Sequence, residues 1–243
     1  MHEPELWITK IFNDYLAGTG NLALQLVGMK PEARPWANYV VVELLVALFI
    51  VVLFAILRQR LCWDKPGKLQ HTFEVVYEFL RGQSEEQVGH NGPQHIAFFG
   101  TLFIFILFMN LVGIIPAFES PTMTPAVPLG CAVATFLYYN IMGVKTNGLG
   151  KYLAHFAGPM PLLAPLMIPI EFISHLARPL SLTVRLYANM FAGEQVTMVF
   201  LGLTYFLVPV VFMGLHMFVS LLQAYIFMLL AMMYVAGAVA HEH

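Results

Sequence analysis

From Gln195 to Ala240 the chain carries no aspartate, glutamate, lysine or arginine, a run of 46 residues. As one α-helix this run is ~69 Å long, about twice the ~30 Å hydrocarbon core of a bilayer. One upright span cannot hold it, so it folds back, and Pro209 marks the expected turn. Residues 210–240 are still long for a perpendicular span, which predicts a tilted helix. Of the 243 residues, 59% are hydrophobic and 11% charged, against ~45–50% and ~25% in a soluble domain. That is too little charge to cover a water-facing surface. A soluble enzyme, a disordered chain and a nucleic-acid binder are excluded, and an all-α polytopic membrane protein is expected. Net charge is −2 and implies no electrostatic partner. Cys62 and Cys131 make neither a disulfide framework nor a ligand spacing. The N-terminal residues lack the basic region of a signal peptide, so insertion is expected through the chain's own helices.

Five hydrophobic segments are expected to be membrane-embedded, at 39–57, 96–118, 126–144, 161–206 and 209–240, in one membrane domain covering 39–243. Residues 1–38 read as a separate external segment. A short helical pattern there (Leu6, Ile8, Ile11, Phe12, Tyr15, Leu16) is expected to stop at Gly18 and Gly20. Residues 58–94 form the most charged stretch. Within it Leu69, Phe73, Val76, Tyr77 and Leu80 share one helical face, which predicts an amphipathic interfacial helix at 68–88. Five lysines and arginines lie in the 58–94 loop, two in the 144–160 loop and none in 116–125. The positive-inside rule then puts the N-terminus outside and the C-terminal His241-Glu242-His243 in the cytoplasm. Lys10, Lys30 and Arg34 run against that rule. No internal repeat is evident.

The ionisable residues within the apolar regions carry the chemistry. Arg185 stands in Leu182-Thr183-Val184-Arg185-Leu186-Tyr187-Ala188. Arginine at a helix centre costs ~2.5–3.5 kcal/mol on insertion scales, and guanidinium cannot escape by losing its proton. Glu194 is nine residues on, about 180° round a helix, so an easy intrahelical pair is excluded. Arg185 reads either as a structural or snorkelling charge or as a fixed cation facing a mobile carboxylate on another chain. Glu171, His175 and Arg178 follow i, i+4, i+7 on one face. They can satisfy one another or line a polar route. His216, Ser220 and Gln223 repeat the spacing on the last helix. A fold at 205–210 brings Glu194 and His216 to one depth and Gln223 nearer the level of Arg185. Two polar groups of residues at different depths, with a fixed cation between them, would pass an ion only by way of a moving carrier. The C-terminal methionines (Met213, Met217, Met228, Met232, Met233) read as pliable packing rather than a metal site. No P-loop, Gly-x-Ser-x-Gly or His-Glu-x-x-His motif occurs, so neither a catalytic site nor a cofactor is expected.

The run from Pro169 to Glu194, including Glu171-Phe172-Ile173-Ser174-His175-Leu176-Ala177-Arg178-Pro179 and Arg185-Leu186-Tyr187-Ala188-Asn189, resembles the signature of subunit a of the F-type ATP synthase, in its bacterial form. His216 with Leu221-Leu222-Gln223-Ala224-Tyr225 resembles that family's final helix. Met109-Asn110-Leu111-Val112-Gly113-Ile114-Ile115-Pro116 resembles its third. The likeness covers roughly residues 35–240. It implies a stator in the bacterial inner membrane, with two offset half-channels set against a ring of c subunits. The peripheral-stalk b subunits and the other synthase subunits are its implied further partners, with protons passing and ring rotation coupled to ATP synthesis. Under the resemblance Arg185 is the essential charge facing the ring carboxylate. Glu194, His216, Asn189 and Gln223 match the outer path and the arginine region, while Glu171 and Ser181 match the cytoplasmic path. His175 is placed with the proton path, and Arg178 and Asn110 are structural polar residues. The alternative from the residues alone is a self-contained channel or secondary transporter, using Glu171–His175 and Glu194–His216 as its relay. A transporter would usually show paired broken helices in internal repeats.

Overall fold

A computed structural model describes residues 5–26, 28, 30–62, 67–115, 118–148, 150, 152, 164–203 and 207–239. Asp64, Lys65, Pro66, Pro116, Lys151, residues 161–163, residues 204–206, on which the expected fold-back falls, and the terminal His241, Glu242 and His243 lie outside them. The described residues form α-helices and short 3₁₀ turns, with no strand. In chain order the helices are α1 (Trp7–Leu26), α2 (Asn38–Gln59), α3 (Lys68–Val88), α4 (Ile96–Val112), α5 (Ala126–Asn147), α6 (Ala164–Leu203) and α7 (Leu207–Val239).

Four stretches are long and apolar enough to cross a membrane: Asn38–Gln59, Asn91–Val112, Ala126–Asn147 and Val208–Val239. The polypeptide is therefore an all-α, polytopic membrane protein. The 40-residue α6 differs from these four in carrying Glu171, His175, Arg178, Arg185 and Glu194. At ~1.5 Å per residue α6 is ~60 Å long and α7 ~50 Å, and neither fits a ~30 Å core upright. Pro209 sits in the first turn of α7, where the missing N–H costs nothing. Pro169 and Pro179 lie inside α6, and each leaves one carbonyl without its i+4 donor.

Helices α4, α5, α6 and α7 pack around one core. On α7, Ala224, Phe227, Met228, Ala231, Met232 and Val235 are fully buried, the i, i+3, i+4, i+7 pattern of a single face. They meet Phe99, Leu102 and Ile106 of α4, Ala132 and Tyr139 of α5, and Leu182, Leu186 and Met190 of α6. In lipid such contacts stabilise through van der Waals packing and polar links rather than through escape from water. The chief polar link is a buried knot. Asn110 Nδ2 donates to the Ser220 carbonyl at 3.3 Å, and Thr122 Oγ1 donates to Asn110 Oδ1 at 2.8 Å. Ser120 Oγ donates to the Met109 carbonyl at 3.0 Å. Asn110→Leu removes both Asn110 bonds, the donor to the Ser220 carbonyl and the acceptor of the Thr122 hydroxyl, and the expected loss is about 1–2 kcal/mol. A lowered midpoint in detergent thermal melts of the purified complex checks it.

Helix α1 continues through Gly18 and Gly20 to Leu26, past the expected stop. Its one irregularity is Leu16, with φ −120° and ψ 17°. The reason is tertiary packing. Trp36 Nε1 donates to the Leu16 carbonyl at 2.9 Å, and Asn13 exchanges hydrogen bonds with the Trp36 backbone at 3.0 and 3.1 Å. Arg34 pairs with Glu5, and the Leu6 N–H donates to Asn38 Oδ1 at 3.2 Å. The segment before α2 is thus folded back onto α1.

Helix α3 is amphipathic, carries an ion pair along its own surface and is tied to α7. Arg81 Nε donates to Glu85 Oε1 at 2.8 Å, which holds the guanidinium above its ordinary pKa. Tyr225 of α7 donates its hydroxyl to Gln83 Oε1 at 3.0 Å. Gly89 closes the helix with φ +81°, a conformation that favours glycine. Cys62 and Cys131 are both free.

Candidate functional site

The α6–α7 hairpin brings together the polar residues of its two arms. Near the turn, Gly193 lies against His216, and a Cβ at Gly193 would stand 2.5 Å from His216 Nδ1. Only glycine admits the imidazole this close to the α6 backbone. Glu194 is the next residue, and both Glu194 and His216 line one cavity of about 380 Å³. His216 is 7% exposed, and its Nε2 is buried with no hydrogen-bond partner among the described residues. One turn further along α6, Met190 Sδ accepts from Ser220 Oγ at 3.8 Å. Asn189 Nδ2 then donates to Gln223 Oε1 at 2.7 Å. Gln223 is 1% exposed.

Arg185 lies one further turn along α6 from Asn189. Leu182, Leu186 and Met190 point into the bundle, which leaves Arg185 half-buried at its margin. Ser181, Val184, Ala188, Asn189 and Ala192 are exposed around it. Mostly small, these side chains leave the face open to close approach. Among the described residues Arg185 makes no ion pair. Glu194 does not reach it, as the half-turn offset on α6 requires.

A second polar cluster sits at the opposite end of the hairpin. Arg178 Nη2 is 3.8 Å from Glu171 Oε1, with both side chains about a third exposed (32% and 30%). A pair so long and so solvated contributes little to stability. Arg178 also lies over the rings of Tyr234 and Tyr139, at 5.4 and 5.9 Å from their centroids, a cation–π geometry. His175 turns elsewhere. Its Nε2 is 2.9 Å from Asn140 Oδ1, so that nitrogen carries the hydrogen and donates. Tyr152 donates to the same oxygen at 2.7 Å, and Asn140 Nδ2 is spent on the Phe136 carbonyl at 2.6 Å. Burial pushes the Tyr152 phenol above its ordinary pKa, opposed by the nearby Arg178.

The structure therefore sets Glu194 and His216 in one cavity, bonds Asn189 to Gln223 and places Arg178 beside Glu171. It separates Arg185 from all of these. Asn110 belongs to the buried knot beneath Ser220. Asn140, Tyr139, Tyr152 and Tyr234 were missed as members of the second cluster. For Tyr139 and Asn140 the signal was the polar trio Tyr138-Tyr139-Asn140 inside an apolar span. Glu119, which lines the cavity with Glu194 and His216, was also missed. It is the one acid between Ile96 and Gly158.

Fold and site together define a polytopic membrane protein whose intramembrane ionisable groups are concentrated on one helix hairpin. Residues 40–236 match the profile of the family described as ATP synthase A chain. The chain is 73% identical over 233 residues to ATP synthase subunit a of Solibacter usitatus, covering 96% of this chain and 100% of that one. It is 49% identical over 241 residues to subunit a of Koribacter versatilis, covering 98% of each. With subunit a of Geotalea daltonii the identity is 41% over 200 residues, covering 82% of this chain and 86% of the other. The chain belongs to the subunit a family of F-type ATP synthases. It is a multi-pass protein of the membrane sector that translocates protons.

Proposed function

We propose that this chain is the stationary half of a rotary proton path, built from two offset half-channels. The observation that carries the proposal is Arg185, an ionised side chain with no ion-pair partner among the described residues, standing between two polar clusters on an open face of small side chains. In this reading the cavity with Glu194 and His216, continued by Asn189 and Gln223, is the outer half-path. Ser181, Glu171 and His175 mark the cytoplasmic one. The open face of α6 meets a ring of c subunits, whose carboxylate passes Arg185 in its ionised form. That charge match keeps a proton from crossing directly between the half-paths, so flow requires the ring to turn. The b subunits of the peripheral stalk hold the chain still, and lipid covers the exposed Leu48 and Val51 of α2. The N-terminus is outside and the C-terminus cytoplasmic, as the loop charges direct.

A self-contained channel would carry protons without a ring. Vesicles holding only this chain, under an imposed pH gradient and potential, are expected to stay proton-tight. Vesicles holding the whole complex are expected to pump on ATP addition. Sustained proton flux through the chain alone would falsify the stator reading.

A further inference from the structure

The cavity near the α6–α7 turn is lined by three titratable groups from three separate parts of the chain. Glu119 comes from the turn between α4 and α5, Glu194 from α6 and His216 from α7. Their exposure falls in that order. Glu119 is exposed, Glu194 is half-buried and His216 is buried. They are spread out rather than convergent, since among the described residues no three His, Cys, Asp or Glu are grouped as metal ligands. Graded burial of acids and an imidazole along one cavity is what a proton relay requires. The outermost group exchanges with bulk water, and the innermost is desolvated with hydrogen-bonding capacity to spare.

Two features fix Glu119 in this position. The adjoining Ser120 is 2% exposed, and its hydroxyl is held by the Met109 carbonyl and Thr122. The carboxylate is therefore one residue from an immobile knot. The cavity is also walled by Leu6 and Asn38, which are joined by the Leu6 N–H to Asn38 Oδ1 bond at 3.2 Å. The folded-back N-terminal segment thus forms part of the cavity wall beside Glu119.

We propose that Glu119 is the intake group of the outer half-path, with the N-terminal segment as the outer wall of its cavity. Its carboxylate takes a proton from the aqueous side, hands it through the cavity to Glu194 or His216, and returns to the anion. The proposal rests on the stator reading and deepens it.

The test uses the whole complex in vesicles, driven to make ATP by an imposed proton gradient, with the rate followed against pH on the intake side. Glu119→Gln is expected to lower the rate about tenfold, less than the full contribution of a positioned acid–base group because water can bypass a group at the mouth. It should also shift the pH profile, and Glu119→Asp should restore most of both. An unchanged rate and profile in Glu119→Gln overturns the proposal. So does an equal loss in the Gln and Asp variants without a profile shift, which marks a structural role. If the Gln variant does not assemble, Glu119→Cys in a background of Cys62→Ser and Cys131→Ala is treated, once assembled, with a membrane-impermeant anionic thiol reagent from the intake side. Block of ATP synthesis supports the intake role, and labelling without block overturns it. Proton flux through the chain alone would remove the stator reading itself, whereas a tight chain with a normal Glu119→Gln complex removes only this inference.

Discussion

Arg185→Ala is expected to bring ATP-driven proton pumping down to background in membrane vesicles, while passive proton leak stays at or above the wild-type level. The substitution breaks no ion pair among the described residues, and the buried neighbours Leu182, Leu186 and Met190 keep their packing. The complex should therefore assemble, and the loss should be one of coupling. In the proposed reading, loss of the guanidinium leaves nothing to force a passing carboxylate to give up its proton, and the two half-paths would exchange protons directly. Arg185→Lys should restore little. An ammonium is a compact, strongly hydrated point charge that can lose its proton when desolvated, whereas guanidinium stays charged and presents a planar fork. Coupled pumping at the wild-type rate in Arg185→Ala would return Arg185 to a merely structural charge.

The second large effect is expected at Gly193. A Cβ there would lie 2.5 Å from His216 Nδ1 and 3.0 Å from Cε1, so Gly193→Leu must rotate the imidazole or part α6 from α7. Overpacking of this kind costs about 1–3 kcal/mol, a tolerable loss for an assembled complex. The functional loss should be larger, because the imidazole is driven from the cavity it shares with Glu194. Pumping is expected to fall at least about tenfold, the consequence of misplacing a positioned proton-transfer group. Adding His216→Ala to Gly193→Leu should recover thermal stability without recovering pumping. That non-additivity separates the steric effect from the chemical one. If Gly193→Leu pumped like the wild type, the imidazole would have no role at that position.

Much of the hairpin was legible because its geometry is local. Glu194 and His216 were expected at one depth from their distances to the turn, and the structure sets Gly193 against His216. Gln223 was expected nearer Arg185, and it meets Asn189 one turn away. The 180° offset that separates Glu194 from Arg185 is a property of any α-helix. What escaped the sequence depends on distant partners. Asn140 looks like a stray amide in an apolar helix until His175, from another helix, supplies its donor. Glu119 looks like one acid in a short turn until α6 and α7 close the cavity around it. Gly18 and Gly20 weaken α1 by propensity, but Pro35 and Trp36 pack against it, and a Cβ at Gly20 would stand 2.7 Å from Pro35 Cγ. Glycine there allows the contact that keeps the helix in place.

A stationary part in a rotary machine must absorb a sideways push equal to the one it delivers. If a ring drags past α6, the hairpin is loaded like a beam clamped at one side. The hydroxyl of Tyr225 bonded to Gln83, with Phe79 beside that ring at 5.7 Å, means that this beam does not stand free. In the proposed reading, strain entering α6 and α7 would pass through this contact to α3, a helix rich in charged side chains. On that reading α3 serves as a strut for the hairpin that carries Arg185.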